Sequence, residues 1–154
     1  MPDSSLLVRS RVSGGKALTR SFGRINGEQP DRLTRKKLGT FAEGIASGYL
    51  EQHGYQVLQR NVHLRYGEID VVALKDGVPI FVEVRARRQG DLGSALASLS
   101  RSKQHRMRLT AELYLAQHPE LPQEGRIDLV AVSLSRNGLV MSIDLIENAV
   151  EGHA

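Results

Sequence analysis

The sequence predicts a mixed α/β fold in the order α-β-β-β-α-β-β, with about five strands in one sheet covered by helices on two faces. Three observations lead there. Residues 67–74 and 78–86 are apolar, β-branched runs joined by Lys75-Asp76-Gly77, and Asp-Gly between such runs marks a tight hairpin. Ile127-Asp128-Leu129-Val130-Ala131-Val132 is a near-continuous apolar run, the pattern of a strand buried on both faces. Helical apolar spacing recurs at two points, once before the first strand and once between the third and fourth.

The elements follow in order. Residues 1–36 are rich in Ser, Gly and Arg, show neither helical nor strand periodicity, and read as a flexible basic arm. Thr34 can cap the first helix, whose apolar face is Ala42, Ile45, Ala46, Tyr49 and Leu50, and Gly54 ends it as a C-cap. Tyr55 to Val62 is the first strand. Residues 67–74 and 78–86 are the second and third, and Arg87 to Asp91 is a basic, Gly-containing loop. Leu96 to about His118 is helical, broken near Leu99, with Met107, Leu109, Ala111, Leu113, Tyr114 and Leu115 as its apolar face. Pro119 and Pro122 stop it. Arg126 to Leu134 is the fourth strand, Asn137-Gly138 a turn, and Leu139 to Ile146 the last strand.

Composition excludes several classes. The 154 residues suffice for one domain with a core, residues 37–150, beyond the arm. There is no cysteine, so a disulfide scaffold and a thiolate metal site are excluded. No run approaches the ~18 apolar residues of a membrane span. Leu6-Leu7-Val8 is too short for a signal-peptide core, so a soluble cytoplasmic protein is expected. Of 21 basic and 17 acidic residues, nine and three lie in residues 1–37. Residues 1–37, the arm and the residue after it, therefore carry +6 and the rest −2, and a basic arm attracts polyanions, nucleic acid above all.

The unusual feature is a carboxylate in the middle of each hairpin strand. Asp70 lies in Gly67-Glu68-Ile69-Asp70-Val71-Val72-Ala73-Leu74, and Glu83 in Ile80-Phe81-Val82-Glu83-Val84-Arg85. Desolvating a lone charge costs several kcal/mol, so two acids on one hairpin need a shared partner. Side chains alternate faces, which puts Glu68 with Asp70 and Glu83 with Arg85, and Glu43 can approach from the first helix. Hard oxygen ligands suit Mg²⁺ or Mn²⁺, and such a site activates water against a phosphodiester. The competing reading is structural: Asp70 and Glu83 pair with Arg85, Arg65 or Arg87.

At these residues the chain resembles the YraN family of bacterial proteins, which look like Holliday-junction resolvases and restriction-endonuclease-type nucleases. The likeness spans Leu38 to Asn148. It rests on Gly39-x-x-Ala42-Glu43, Tyr49-Leu50, Gly54-Tyr55, Asn61, Arg65-Tyr66-Gly67-Glu68-Ile69-Asp70, Phe81-Val82-Glu83-Val84-Arg85, Gly93-Ser94, Lys103, Tyr114-Leu115 and Ile127 to Val132. The resemblance implies a restriction-endonuclease-like fold and a PD-(D/E)xK site. In it Asp70 takes the place of the motif's Asp, Glu83 of its Asp/Glu, and Glu43 of the helical acid. Together they imply a metal set of Asp70, Glu83 and Glu43. Arg85 stands where the family usually has Lys. Arg is effectively never a base but can stabilise phosphate charge, so Lys103 is the alternative source of an amine. Ala95 replaces the Pro usual after Gly-Ser.

Arg85, Arg87, Arg88, Arg101, Lys103, Arg106 and Arg108 place seven positive charges in 24 residues. With Arg65 they read as a phosphate-binding rim, which would contact backbone and shape rather than base sequence; a solvated helix face is the alternative. Aromatics are only 5% of the chain, too few for a stacking platform along a single strand. The five histidines have no ligand spacing, and Asp128 beside Arg126 reads as structural or as a supporting group behind the site.

Three functions compete. The first is a metal-dependent nuclease acting on structured or branched DNA, with Asp70, Glu83, Arg85 and Glu43 as its catalytic set. The second is a nuclease-fold DNA-binding module that has lost catalysis, which Arg85 favours. The third is a protein-interaction domain. Resolvases of this superfamily often act as dimers, so a homodimer is compatible with the resemblance.

Overall fold

A computed structural model describes residues 6–12, 18–22, 35–88, 92–135 and 139–150. The domain is α/β, with five strands and flanking helices in the predicted order. Helix α1 (Arg35–Gln52) is followed by β3 (Gln56–Leu64), β4 (Gly67–Lys75) and β5 (Val78–Arg88). Then come α2 (Leu92–Ala97), α3 (Arg101–Gln117), β6 (Arg126–Leu134) and β7 (Val140–Ile146). Two strands precede them, β1 (Leu6–Val12) and β2 (Leu18–Phe22), and the sheet runs β2-β1-β7-β6-β5-β4-β3.

These two strands correct the expectation that residues 1–36 hold no strand. β1 runs parallel to β7 from Arg9↔Ser142 to Val12↔Leu145, and β2 folds back on β1. Neither segment has a clean period-two pattern. What defines them is the backbone of β7, whose outer side would otherwise be an unpaired sheet edge. Thr34 and the Asn137-Gly138 turn lie outside the described residues, as do residues 89–91 of the expected basic loop. Arg87 and Arg88 instead extend β5.

Local chemistry explains the helix ends and turns. Gly54 adopts φ +83°, with Tyr55 N–H donating to Leu50 O at 3.0 Å and Gly54 N–H to Glu51 O at 3.2 Å. This is a Schellman ending of α1, which favours glycine because of that positive φ. Asp76 and Gly77 both have positive φ, 49° and 76°, as a type I′ hairpin turn requires. Ser100 caps α3 by accepting from the Lys103 N–H.

Two cores lie on opposite faces of the sheet. Ala42, Ala46, Tyr49 and Leu50 of α1 pack on Val71, Ala73, Ile80, Val82, Val130 and Val132. On the other face, Ala111, Tyr114 and Leu115 of α3 pack on Val72, Phe81, Leu129 and Ala131. Consecutive residues of β4, β5 and β6 thus face opposite helices, which is why these strands read as continuous apolar runs. In α3 the inward face includes fully buried Thr110, whose hydroxyl donates to Arg106 O at 2.7 Å, while Leu109 and Leu113 are only half-buried.

Candidate functional site

The alternation of faces breaks at Asp70. Ile69 belongs to the core under α3 and Val71 to the core under α1, although strict alternation would put both on one face. The β4–β5 ladder runs from Lys75↔Val78 to Val71↔Val82. Just beyond it, the Val84 N–H donates at 2.8 Å to Asp70 Oδ2. The Asp70 carboxylate therefore stands in for a β4 carbonyl at the place where pairing ends.

Glu83 occupies a different surface. Its neighbours Val82 and Val84 pack toward α1, so Glu83 and Arg85 face α3. Glu83 is only 7% exposed. Its Oε1 accepts Lys103 Nζ at 2.9 Å and Arg85 Nη2 at 3.3 Å. Asp70 lies against this carboxylate and is pushed up to about 7, first by burial, then by the charge of Glu83, with Glu43 adding to it and the Val84 N–H pulling the other way.

Glu43 reaches the same place from α1. Burial raises its pKa most, and Glu83 and Glu68 raise it further. The Arg60 charge and a hydrogen bond with the Asn61 side chain oppose them. The sequence names Asn61 only among the residues of the family resemblance and gives it no place at the site. It has φ +52° inside β3, an uncommon conformation for a non-glycine residue within a strand. Its flanking pairs, Arg60↔Val71 and Val62↔Ile69, put it across from Asp70. Its traces in the sequence are an Asn among strand residues and its place in the resemblance, neither of which states the backbone dihedral.

Together these groups line a cleft of about 410 Å³, which Glu43, Asp70 and Glu83 share with Glu68, Tyr66, Lys103 and Arg106. Among the described residues, no group of three His, Asp or Glu side chains is close enough to enclose one ion. The structure thus brings Asp70 and Glu83 together as a pair and leaves Glu43 at their side, bonded to Asn61. A largely sequestered, mutually repelling pair of oxygen donors fits a hard divalent cation, which would remove the repulsion that adds to the burial effect on Asp70.

The expected cationic rim is only partly assembled around that pair. Lys103 and Arg106 line the cleft, and Arg85 reaches Glu83. Arg65 lies in the β3–β4 turn with its guanidinium 5.6 Å from the Tyr66 ring centroid. Arg87, two residues beyond Arg85 and so on the same face of β5, keeps a buried Nε with no hydrogen-bond partner among the described residues. Arg88 and Arg101 are exposed and do not line the cleft. His63 pairs with Glu68 at 3.0 Å on the surface, and His105 is exposed.

Asp128 belongs elsewhere. It is fully buried and accepts from Arg126 Nε at 2.8 Å, Arg126 Nη2 at 3.0 Å and the Asn148 N–H at 2.9 Å. None of these partners lines the cleft. The group ties the start of β6 to the residues after β7 and is structural.

The model of the uncharacterised protein family UPF0102 matches residues 42–132, which include Glu43, Asp70, Glu83 and Lys103. A UPF0102 protein of Roseiflexus castenholzii is 42% identical over 119 residues, 76% of this chain and 95% of that protein. The chain belongs to the UPF0102 family. UPF0102 proteins of Dictyoglomus turgidum, 35% identical over 117 residues, and Dichelobacter nodosus, 40% identical over 102, cover 76% and 66% of the chain and 99% and 81% of their own lengths. The YraN resemblance read from the motifs is thereby borne out. Among the described residues, no helix of this UPF0102 chain is long and apolar enough to cross a membrane.

Proposed function

We propose that the protein is a metal-dependent nuclease of the cell interior that hydrolyses phosphodiesters in structured or branched DNA. The observation that carries this reading is the pair of buried Glu83 and half-buried Asp70 in a cleft whose other wall supplies Lys103 and Arg106. Asp70 and Glu83 are the residues to hold Mg²⁺ or Mn²⁺, with Glu43 beside them. A divalent cation there supplies charge neutralisation for the phosphate and lowers the pKa of a water.

The chain's own residues do the rest. Val84 N–H orients Asp70 and holds one of its oxygens as an acceptor. Lys103 fills the role that Arg85 cannot, because a lysine ammonium can give up a proton and the resulting amine can take one back, whereas a guanidinium stays charged. Arg85 holds Glu83 and adds fixed positive charge where the phosphate's charge grows. Arg106, Arg87 and Arg65 contact the backbone on either side, giving affinity without reading sequence.

One observation favours a second reading. Glu83 already has two cations on one oxygen, and among the described residues no third ligand closes the site. A nuclease fold that binds DNA without cutting would need no more than this. Calorimetric titration of Mn²⁺ and Mg²⁺ into the wild type and Asp70→Ala, followed by incubation of both with labelled four-way junction and duplex, separates the readings. Metal binding and cleavage both lost in Asp70→Ala support the nuclease. Metal binding without cleavage supports the binding module. Absence of metal binding returns the pair to a structural role.

A further inference from the structure

Four tyrosines occur in the chain, and three are nearly inaccessible: Tyr49, Tyr55 and Tyr114 are 1%, 4% and 3% exposed. Tyr66 is 41% exposed. A single exposed ring is ordinary by itself; what distinguishes this one is where it lies. Tyr66 lies on the cleft that holds Asp70, Glu83 and Lys103.

Its position is fixed rather than incidental. Tyr66 and Arg65 form the two-residue connection between β3 and β4, closed by the Leu64↔Gly67 pair. The turn sits against α3, since a Cβ on Gly67 would lie 3.3 Å from Thr110 Oγ1. The Arg65 guanidinium stands 5.6 Å from the ring centroid, a cation–π contact that steadies the ring and adds positive charge beside it. Lys103 and Arg106 supply cations on the same cleft from α3. An aromatic face flanked by cations, beside an acidic pair suited to a phosphate-bound metal, has the chemistry of a nucleotide: base on the ring, backbone on the cations, phosphodiester at the carboxylates.

We propose that Tyr66 is the stacking platform for an unpaired nucleobase next to the bond that is cut, so that the protein's substrate carries an unpaired nucleotide at that point. This rests on the nucleic-acid reading above and narrows it. A base in a continuous duplex is stacked between its neighbours and offers no face to a ring, whereas a base at an overhang, flap or branch point does. The low aromatic content excludes a platform along many bases but not one ring at the reacting position.

The test is binding by the full chain in a chelator, so that cleavage does not interfere. The probes are a labelled duplex with a single-stranded overhang, its blunt counterpart, and a version of the overhang duplex carrying 2-aminopurine at the first unpaired position. The wild type is expected to prefer the overhang and to quench 2-aminopurine. Tyr66→Phe should retain both properties. Tyr66→Ala should lose the quenching and bind the overhang roughly tenfold more weakly, with blunt-duplex affinity unchanged. Its exposed position keeps the fold intact, checked by its melting temperature. Equal affinity of wild type and Tyr66→Ala for the overhang, or equal losses on both duplexes, overturns the platform while leaving DNA binding in place. Absence of salt-sensitive binding of the wild type to any probe overturns the nucleic-acid reading itself and the platform with it.

Discussion

Lys103 Nζ and Arg85 Nη2 meet on one oxygen of Glu83, at 2.9 and 3.3 Å. The ammonium reaches it from the first turn of α3 and the guanidinium from two residues along the same strand. One acid of the site is thus held by two cations of different chemistry, and the motif position filled by Arg85 does not leave the site without an amine.

The two cations should therefore differ in kinetics. Under the proposed activity, Lys103→Met lowers the single-turnover cleavage rate by about 10² or more, the usual scale for a positioned proton-transfer group or charge. Arg85→Lys leaves it nearly unchanged, because a charge still reaches Glu83. Single-turnover cleavage of a labelled junction in saturating Mn²⁺ checks both. A larger loss in Arg85→Lys than in Lys103→Met would return the main role to Arg85.

Asp70 should make stability depend on pH. Its pKa is raised from 3.8 unfolded to about 7 folded, so between those values the folded state keeps a proton that the unfolded state has lost. Stability contributed by this group is full below 3.8, falls as pH rises toward 7, and levels off above it. Each unit of difference corresponds to about 1.4 kcal/mol. Urea unfolding at several pH values should show this loss in the wild type and not in Asp70→Asn. Added Mn²⁺ should restore most of it above pH 7, where the carboxylates are free to bind the ion.

Asn61 should separate strain from function. Asn61→Gly accepts φ +52° without a Cβ and removes the side-chain bond to Glu43, so it keeps the fold to within about 1 kcal/mol. Asn61→Ala loses the same bond and also holds a Cβ at positive φ, costing about 1 kcal/mol more than glycine. Both should weaken Mn²⁺ binding alike if Glu43 supports the site. Calorimetry and urea midpoints on the two variants read the effects separately.

Asp128 should matter to stability alone. Asp128→Ala leaves Arg126 and the Asn148 N–H without their buried acceptor and should cost about 3–5 kcal/mol. Metal affinity per folded molecule should not change. A loss of affinity in the folded fraction, measured well below the unfolding temperature, would link this network to the cleft.

Most of the fold is legible because its signals are local. Asp76-Gly77 states its own turn, and β6 runs from Arg126 to Leu134, as its apolar pattern says. Asp70 and Glu83 stand out because a charge within an apolar strand contradicts its surroundings. The meeting of Lys103 with Glu83 is less legible, since it depends on where α3 docks across the sheet. β1 and β2 leave little trace because an edge strand is defined by the backbone it joins. The break in alternation at Asp70 leaves none: Ile69 and Val71 look alike in sequence and pack on opposite faces.

The Val84 amide is bonded to a side chain that titrates rather than to a carbonyl that does not. Its proton is thus held by a partner whose charge changes with acidity and with bound metal, unlike the amides of the adjoining ladder. In an isotope-labelled sample, the chemical shift and solvent exchange of this one amide should follow the ionisation of Asp70, giving the cleft an internal electrometer readable without substrate.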